Sequence, residues 1–372
     1  MNWVVLFSLI AITGTVHGNE TPAGKIDRVK GEVVIKQEEG HKTNGREGFP
    51  LFPGDRIETG KEGAVWFTLL QGQQFRLGEE AEVEIDELSG PEVEDGQKII
   101  RLVLGYLWTK VLKRGEKEEG LEVHTPTAVL GVRGTEFDSV VSLDASTVVV
   151  VDEGKVELDS EGETVLVGTG EMSEAGVEIR PTAPVASVPK ERRDWKAWRE
   201  KRLQMLSIRL PRIVPRLLER LKVAVNKSKM FIPRVRDASD RLRATMNRAR
   251  KAKKENNNEI FFRSMRRLKA QVDQFKKMAS RFREGQNRVK VMVNNSRKIE
   301  RHVSANRARF KAEDLDAIES DLKQMALYRI ELKDIFRQAI IEIRTTFREL
   351  RAFRIEMGRS DHGPSLKKRG PN

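Results

Sequence analysis

The sequence predicts a multidomain protein of the β-then-α class: an all-β domain with a sandwich or solenoid arrangement, followed by a bundle or coiled coil of long helices. Three observations lead to this prediction. The first half alternates apolar and polar residues in short runs punctuated by glycine. The second half nearly lacks glycine and repeats apolar residues every three or four positions. The net charge also changes sign between the halves. A chain of 372 residues is longer than one ordinary domain, so more than one domain is expected.

The opposite charges of the two halves are large. Residues 1–189 contain 18 Lys and Arg against 34 Asp and Glu, a net charge of −16, whereas residues 190–372 contain 51 against 22, a net charge of +29. The basic half can therefore pair with the acidic half, within one molecule or an oligomer. It can equally attract an external anionic polymer or a lipid surface. Both alternatives remain open at this stage.

Residues 1–18 predict a secretory signal peptide. An uncharged apolar run at residues 3–12 precedes small and polar residues, with Val16 and Gly18 at the −3 and −1 positions of a cleavage point. The run is too short to span about 30 Å of hydrocarbon. We expect cleavage near Gly18 and a periplasmic or extracellular mature protein. The chain contains no cysteine, which excludes disulfides, thiolate zinc sites and cysteine nucleophiles.

Residues 24–179 predict the β-domain. Runs such as AVWFTLLQGQQFRLG and TVVVVDEGKVELDS place Val, Ile, Phe and Thr at period two between glycine turns. Each strand can therefore bury one face and leave the other in water. Residues 180–190, RPTAPVASVPK, contain three prolines. They predict a stiff, extended linker that can continue neither a strand ladder nor a helix.

Residues 191–358 predict a basic helical region, because Arg, Lys, Glu, Leu, Ala and Met dominate it. Pro211, Pro215 and Pro233 predict several shorter helices before the long ones. Two heptad seams then predict two long helices that pair antiparallel, and they also allow homo-oligomerisation. Residues 359–372 predict a disordered basic tail. The seams run through Phe261, Met265, Leu268, Val272, Phe275, Ala279, Phe282, Gln286, Val289 and Val293, and through Leu315, Ile318, Leu322, Met325, Leu332, Phe336, Ala339, Ile343, Phe347 and Leu350.

The stretch HTPTAVLGVRGTEF, residues 124–137, is the densest motif in the chain. A catalytic loop would need a base with a nucleophile, or a metal with ligands, and only His124 is a candidate. The GVRG spacing resembles a phosphate-approaching loop of KH domains, but that loop joins helices and this one joins strands. No H-E-x-x-H, G-x-S-x-G or Walker-type loop occurs elsewhere. We therefore predict no catalytic, cofactor-binding or metal site, and no enzyme.

A structural corner explains more of this stretch. Pro126 fixes φ, and Gly131 and Gly134 permit a sharp turn. The guanidinium of Arg133 can then donate to several inward-facing carbonyl groups. On this interpretation, Arg133→Ala destabilises the β-domain by about 2 to 4 kcal/mol.

The motifs together resemble the FecR domain family. TPTAVLGVRGTEF followed by STVVVVDEGKVEL is similar to the family signature, and GKIDRVKGEVVI, PLFPGDRIETG and QGQQFRLGEEAEVEI resemble its earlier strands in the same order. The resemblance covers roughly residues 24–178 and implies an extracytoplasmic, solenoid-like β-domain. By position it assigns a structural or recognition role to the family-motif residues. These are Thr125, Pro126, Arg133, Gly134, Thr135 and Phe137, with Gly54 and Asp55 in the P-G-D turn.

The resemblance also bears on function. Founding members of the family regulate iron-transport genes with a cytoplasmic segment that acts on a sigma factor, a membrane helix and a periplasmic signal-receiving part. The sequence contains no match to that segment or helix. The expectation is therefore an exported, non-enzymatic envelope protein with a binding or sensing module for a protein or glycan partner, and helices for oligomerisation or attachment. A component of a FecR-type signalling system is the alternative, and export argues against nucleic acid as a partner.

The run EVEIDEL offers a different kind of site. Glu82, Glu84 and Asp86 fall on one face of a strand, where three carboxylates could ligate Ca²⁺. They could also supply the acid and base of a hydrolase that acts on an envelope polymer. Such a row of carboxylates is more often a face exposed to solvent. The hydrolase is therefore kept as an alternative to the binding function.

Overall fold

The computed structural model describes residues 22–37, 40–70, 72–86, 98–112 and 120–359. The predicted signal peptide lies outside the described residues, as does the predicted tail from residue 360 onward. The described residues form a β-sandwich followed by long helices, so the predicted β-then-α class is confirmed.

The β-domain is built from short strands. They are β1 Gly24–Lys30, β2 Val33–Lys36, β3 Lys42–Asn44, β4 Pro50–Leu51, β5 Arg56–Thr59, β6 Ala64–Leu69, β7 Gln74–Leu77, β8 Glu82–Ile85, β9 Lys98–Lys110, β10 Leu121–His124, β11 Val129–Val132, β12 Glu136–Val141, β13 Thr147–Glu153, β14 Lys155–Ser160, β15 Glu163–Gly168, β16 Glu171–Ala175 and β17 Val185–Ala186. The helices are α1 Trp195–Gln204, α2 Leu206–Lys254, α3 Asn258–Ala305 and α4 Ala312–Arg359.

The strands form two facing sheets that share β9. Sheet 1 has the order β4-β1-β6-β7-β9-β12-β13-β16-β17, and sheet 2 has the order β3-β2-β5-β8-β9-β10-β11-β14-β15. Neighbouring strands are antiparallel except β9 and β10, which are parallel. The predicted alternation is realised, because apolar residues from both sheets form one core between them.

Strand β9 passes from one sheet to the other at Gly105. Residues 98–104 pair in sheet 2 and residues 105–110 pair in sheet 1. Gly105 has φ +95°, and a Cβ there would lie 2.2 Å from the Cβ of Ala81. Only glycine fits this crossing, which fixes how the two sheets stack.

The linker at residues 180–190 is not wholly outside the sheet. Strand β17 adds to the edge of sheet 1 and pairs antiparallel with β16, with Val185 opposite Met172. The prediction that this segment cannot continue a strand ladder is therefore wrong. An edge strand needs hydrogen bonds on one side only, so a two-residue stretch between prolines can form one.

Helix α2 runs unbroken for 49 residues through Pro211, Pro215 and Pro233. The prediction of several shorter helices is therefore wrong, since only the 10-residue α1 precedes it. Each proline removes one backbone hydrogen bond. The neighbouring apolar side chains Leu210 and Ile213 are fully buried in the helical core, and this burial holds the chain helical.

The three long helices form an up-down-up bundle. Turns at residues 255–257 and 306–311 reverse the chain, and the Asn257 side chain caps α3 by accepting from the Ile260 N–H at 3.1 Å. Both predicted seams are confirmed as core positions, because their apolar residues share one core with α2. The predicted pairing is nevertheless incomplete: α2 packs against both α3 and α4, which contact each other far less. No helix in the described ranges is long and apolar enough to cross a membrane.

Candidate functional site at the sandwich–bundle interface

Helix α3 lies across the outer face of sheet 2, where it contacts β9 and β10. Successive residues of β9 point to opposite faces. Ile100 and Leu102 belong to the sandwich core, while Ile99, Arg101 and Val103 are buried on the other face, outside that core. Both faces of the central strand are therefore covered, one by sheet 1 and the other by α3.

The three carboxylates of EVEIDEL, which we call the acidic ladder, lie under this helix. Glu82, Glu84 and Asp86 are each at most 4% exposed. Arg101, which is fully buried, joins two of them: its Nη2 lies 2.6 Å from Glu84 Oε1 and its Nη1 lies 3.0 Å from Asp86 Oδ1. The expectation of a solvated face is therefore wrong, because a helix from the other half of the chain covers the ladder.

Helix α3 supplies the remaining partners of the acidic ladder. Arg283 Nη2 lies 2.6 Å from Asp86 Oδ2, and Asn294 Nδ2 donates to Glu84 Oε2 at 2.9 Å. Lys298 forms an ion pair with Glu82. These α3 residues are spaced by eleven and then four positions, so one helical face presents them all. The acidic ladder, Arg101 and this face constitute a buried ion-pair cluster that locks the two halves together.

The cluster keeps Glu84 and Asp86 ionised. Burial alone would raise the pKa of Glu84, but attraction to Arg101 and Arg56 outweighs it and lowers that pKa to about 2. Burial likewise opposes ionisation of Asp86, and the charges of Arg101 and Arg283 bring its pKa below the usual range. Because Glu84 and Asp86 both face cations, the charged form of each is the stable one.

This burial contradicts the two chemical roles considered for the acidic ladder. Glu84 and Asp86 already accept from arginine and asparagine donors in a site that α3 closes to water and substrate. Among the described residues, no group of three or more His, Asp or Glu side chains is arranged to hold a metal ion. Neither a Ca²⁺ site nor a hydrolytic acid–base pair is compatible with these positions.

The chain just before α1, helix α1 itself and the start of α2 contact two further sides of the sandwich. On sheet 1, Arg193 lies 2.9 Å from Asp138 and 2.7 Å from Asp152. At one end of the sandwich, Arg202 and Arg209 both pair with the fully buried carboxylate of Asp144. The intramolecular pairing that the opposite charges allowed is therefore present on three sides of the β-domain.

The first part of the family motif makes a hydrogen-bonded corner. Thr125 Oγ1 accepts from the Ala128 N–H at 2.9 Å and from Thr147 Oγ1 at 2.8 Å. Pro126, the residue after Thr125, is also buried. His124, also buried, has its Nε2 2.6 Å from Glu122 Oε2. These residues connect β10 to β11 and support the sheet.

The second part of the motif is a turn with a buried anchor. Gly134 has φ +56°, Thr135 Oγ1 donates to the Lys155 carbonyl at 3.0 Å, and Phe137 is fully buried in the sandwich core. In the P-G-D turn, Gly54 has φ +92° and Asp55 accepts from the Phe52 N–H at 2.8 Å. Glycine suits both positive-φ positions. The geometry of all these residues is that of a scaffold.

Two details of the predicted corner are wrong. Arg133 is exposed, and within the described part of the chain its side chain makes no hydrogen bond or ion pair. Gly131 lies inside β11, and a Cβ there would have ordinary room, 3.7 Å from Glu157 Cβ. The sharp turn needs Gly134 alone. The guanidinium points to solvent because the turn satisfies its carbonyls with backbone and threonine donors.

The structure singles out one surface that the sequence motifs do not indicate. Residues 226–282, the far halves of α2 and α3 with their turn, contain 18 Lys and Arg against 5 Asp and Glu, a net charge of +13. We call this segment the basic hairpin. Nine of its cations are exposed and have no ion-pair or hydrogen-bond partner among the described residues: Lys227, Arg234, Arg248, Lys254, Arg266, Arg267, Lys269, Lys277 and Arg281. A finer count of charge along the second half would have located it.

The family comparison concerns the β-domain. Residues 55–157 match the FecR family model, described as FecR protein. The predicted resemblance is thereby confirmed over this range. The FecR segment, as we call it, runs from the P-G-D turn to β14 and includes the acidic ladder, Arg101 and the whole residue 124–137 motif. Its match ends before the linker and the helices.

Among solved structures, two crystal structures of a candidate anti-sigma factor from Parabacteroides distasonis are similar to this chain, each with 16% identity and a TM-score of 0.31. The likeness covers 36% of this chain and 59% of that one, so it spans less than two thirds of the relative. A cell surface anchoring domain shows 26% identity over 17% of this chain and 84% of its own, with a TM-score of 0.17. Comparison with curated proteins found no match.

Proposed function

We propose that this chain is an exported, non-enzymatic component of a FecR-type signalling system in the cell envelope, and that the basic hairpin attaches it to a polyanionic surface. The family match of residues 55–157 supports the first part. The distribution of charge supports the second. The partner that the FecR segment recognises is proposed to be an envelope protein or glycan.

The observation that carries the attachment role is where the positive charge remains after the two halves dock. The whole chain has a net charge of +13, and the basic hairpin alone has +13, so all other residues together sum to zero. The acidic half has thus balanced the cations near it through pairs such as Arg193–Asp152 and Arg283–Asp86. The excess is confined to one end of the bundle.

The geometry of that end suits a long anionic partner. Each arm of the basic hairpin has 25 to 29 residues, which corresponds to about 40 Å of helix. Its unpaired cations lie on the exposed faces, while the apolar faces are buried in the bundle core. A helical rod with surplus surface cations attracts polyanions over a long range and gains from counterion release on binding.

Binding of the mature protein, residues 19–372, to heparin tests the attachment role. We expect affinity to fall steeply with salt, and the triple variant Arg266→Gln, Arg267→Gln, Lys269→Gln to bind at least tenfold more weakly at low salt. The slope of log Kd against log salt concentration should decrease by about one per cation removed. The matched control is Lys196→Gln, Arg212→Gln, Arg216→Gln, which removes three exposed cations near the sandwich. Equal losses in both variants would refute a dedicated basic hairpin.

The envelope role has its own test. Cells that produce the full chain with an affinity tag can be fractionated. Proteins in the envelope fraction can then be cross-linked, and those attached to the tagged chain can be purified through the tag. We expect a mature protein outside the cytoplasm that retains an envelope partner when the basic hairpin cations are neutralised. A mature protein found in the cytoplasm would contradict export, and with it the proposed signalling role.

A further inference from the structure

A crevice opens where the corner of the family motif meets the helices. It lies between α2 and α3, with residues 125–129 and 159–161 of the sandwich as its third wall. It encloses about 510 Å³. Sites for small molecules generally enclose between about 300 and 1,000 Å³ and combine an apolar lining with a few polar groups.

The floor of the crevice is aromatic. Phe231 of α2 stacks on Phe282 of α3 with ring centroids 4.5 Å apart, and Phe336 of α4 meets Phe282 edge-on at 5.8 Å. Val289 and Met292 extend this apolar surface along α3. The lining is suited to an apolar body rather than to a sugar or a hydrated ion.

Uncommitted hydrogen-bond donors line the crevice. Gln286 is 3% exposed, and its Nε2 has no hydrogen-bond partner among the described residues. Lys227 and Arg281 are exposed at the rim without an ion-pair partner there. Buried donors usually have an acceptor, and unpaired cations favour an anion.

The other charges at the rim are already neutralised. Arg288 pairs with Asp159 at 3.4 Å, and Arg220 pairs with Glu161. The four cations and two carboxylates of the rim therefore leave two positive charges, those of Lys227 and Arg281. An anionic head group would meet both of them above the buried amide.

Gly285 is a further sign that the space is kept open. It lies inside α3 and lines the crevice, and nothing comes within 4 Å of a Cβ built there. Glycine destabilises a helix interior relative to alanine. No neighbouring atom requires its small size, and because Gly285 is exposed, a larger side chain there would occupy the mouth of the crevice.

We propose that this crevice binds a small amphipathic anion, an aliphatic carboxylate whose head group contacts Lys227, Arg281 and Gln286 and whose chain lies on the aromatic floor. The site joins both halves of the chain, since the sandwich corner forms one wall and the helices form the others. Lys227 and Arg281 belong to both this site and the basic hairpin, whereas Gly285 and Gln286 lie outside the basic hairpin and line the crevice alone.

Titration calorimetry of the mature protein with decanoate tests this site, with decylamine and decanol as matched probes of opposite and zero charge. We expect decanoate to bind at least tenfold more tightly than decylamine. Gly285→Leu should abolish binding, because the added side chain enters open space and fills the crevice. Gly285→Ala, the control, should retain it. Lys227→Gln combined with Arg281→Gln should weaken decanoate at least fivefold and leave decanol unchanged.

Each of these measurements either supports or contradicts binding in the crevice. Binding that survives Gly285→Leu, equal binding of decanoate and decylamine, or no binding by the unaltered protein would overturn the proposal. Circular dichroism and the thermal midpoint establish that Gly285→Leu is folded, and the double variant tests the site independently of it. Heparin binding should be the same in Gly285→Leu and the unaltered protein. Failure of the crevice proposal would therefore appear in decanoate binding, and failure of the attachment role would appear in heparin binding.

Discussion

Arg101 is the fully buried cation of the interface, with Glu84 and Asp86 on either side. Arg101→Met keeps the bulk of the side chain and removes the charge, leaving two carboxylates in a dry site with fewer partners. We expect the free energy of unfolding to fall by about 3 to 5 kcal/mol, as measured by urea denaturation. A loss below about 1 kcal/mol would mean that water reaches the cluster.

Arg133 is the contrasting residue in the same FecR segment. The motif predicted a cost of about 2 to 4 kcal/mol for Arg133→Ala, on the premise that its guanidinium donates to buried carbonyls. Because the side chain is exposed and unpaired within the described residues, we now expect a change within about 0.5 kcal/mol in the same denaturation experiment. If stability is unchanged and the envelope partner is lost, Arg133 is a recognition residue.

The lowered pKa of Glu84 predicts how stability depends on pH. Its ordinary value of 4.5 falls to about 2 in the folded protein. The carboxylate therefore stabilises the fold fully above about pH 4.5, and this contribution disappears as the pH falls toward 2. The variant Glu84→Gln lacks this carboxylate. Its free energy of unfolding should therefore decrease less between pH 5 and 2 than that of the unaltered protein. Parallel curves for the two proteins would contradict the assignment.

At the scale of elements, helix α2 shows how tertiary contacts override a local signal. Pro233 is exposed in the middle of the helix and leaves the Lys229 carbonyl without its N–H partner. Pro233→Ala should restore that bond and raise the free energy of unfolding by about 1 to 3 kcal/mol. The neighbouring exposed substitution Arg234→Ala is the control and should change stability by less than about 0.5 kcal/mol. Destabilisation by Pro233→Ala would show that a bend at this proline is needed for packing.

The elements that the sequence predicted well are those whose signal is periodic. The seam residues of α3 and α4 are buried where the heptads placed them, because a repeated apolar face can be buried only by packing. The prolines of α2 and the two-residue strand β17 were misjudged for one reason. Local propensity is worth a few kcal/mol at most, and the sheet edge or bundle core that outweighs it is formed by residues far away in the chain.

At the scale of the whole molecule, the interface predicts that the two halves assemble from separate chains. Residues 19–189 and 190–359 should form a 1:1 complex when mixed, because separating them breaks the Asn294–Glu84 hydrogen bond and the Arg283–Asp86 ion pair. Analytical ultracentrifugation should show affinity that weakens with salt, although less steeply than heparin binding, since buried pairs are screened less. If residues 190–359 self-associate and do not bind residues 19–189, the result would contradict this interface.

The sequence by itself determined the order of the two structural classes, the faces that each strand and long helix buries, and the family of residues 55–157. These depend on periodicity and motif spacing, which are local properties. The tertiary structure alone decided that α3 covers the acidic ladder, that Arg133 is exposed, and that nine cations of the basic hairpin are exposed and have no partner among the described residues. These depend on which distant residue faces each side chain. A carboxylate in a strand has the same local sequence whether water or an arginine of another helix lies opposite it.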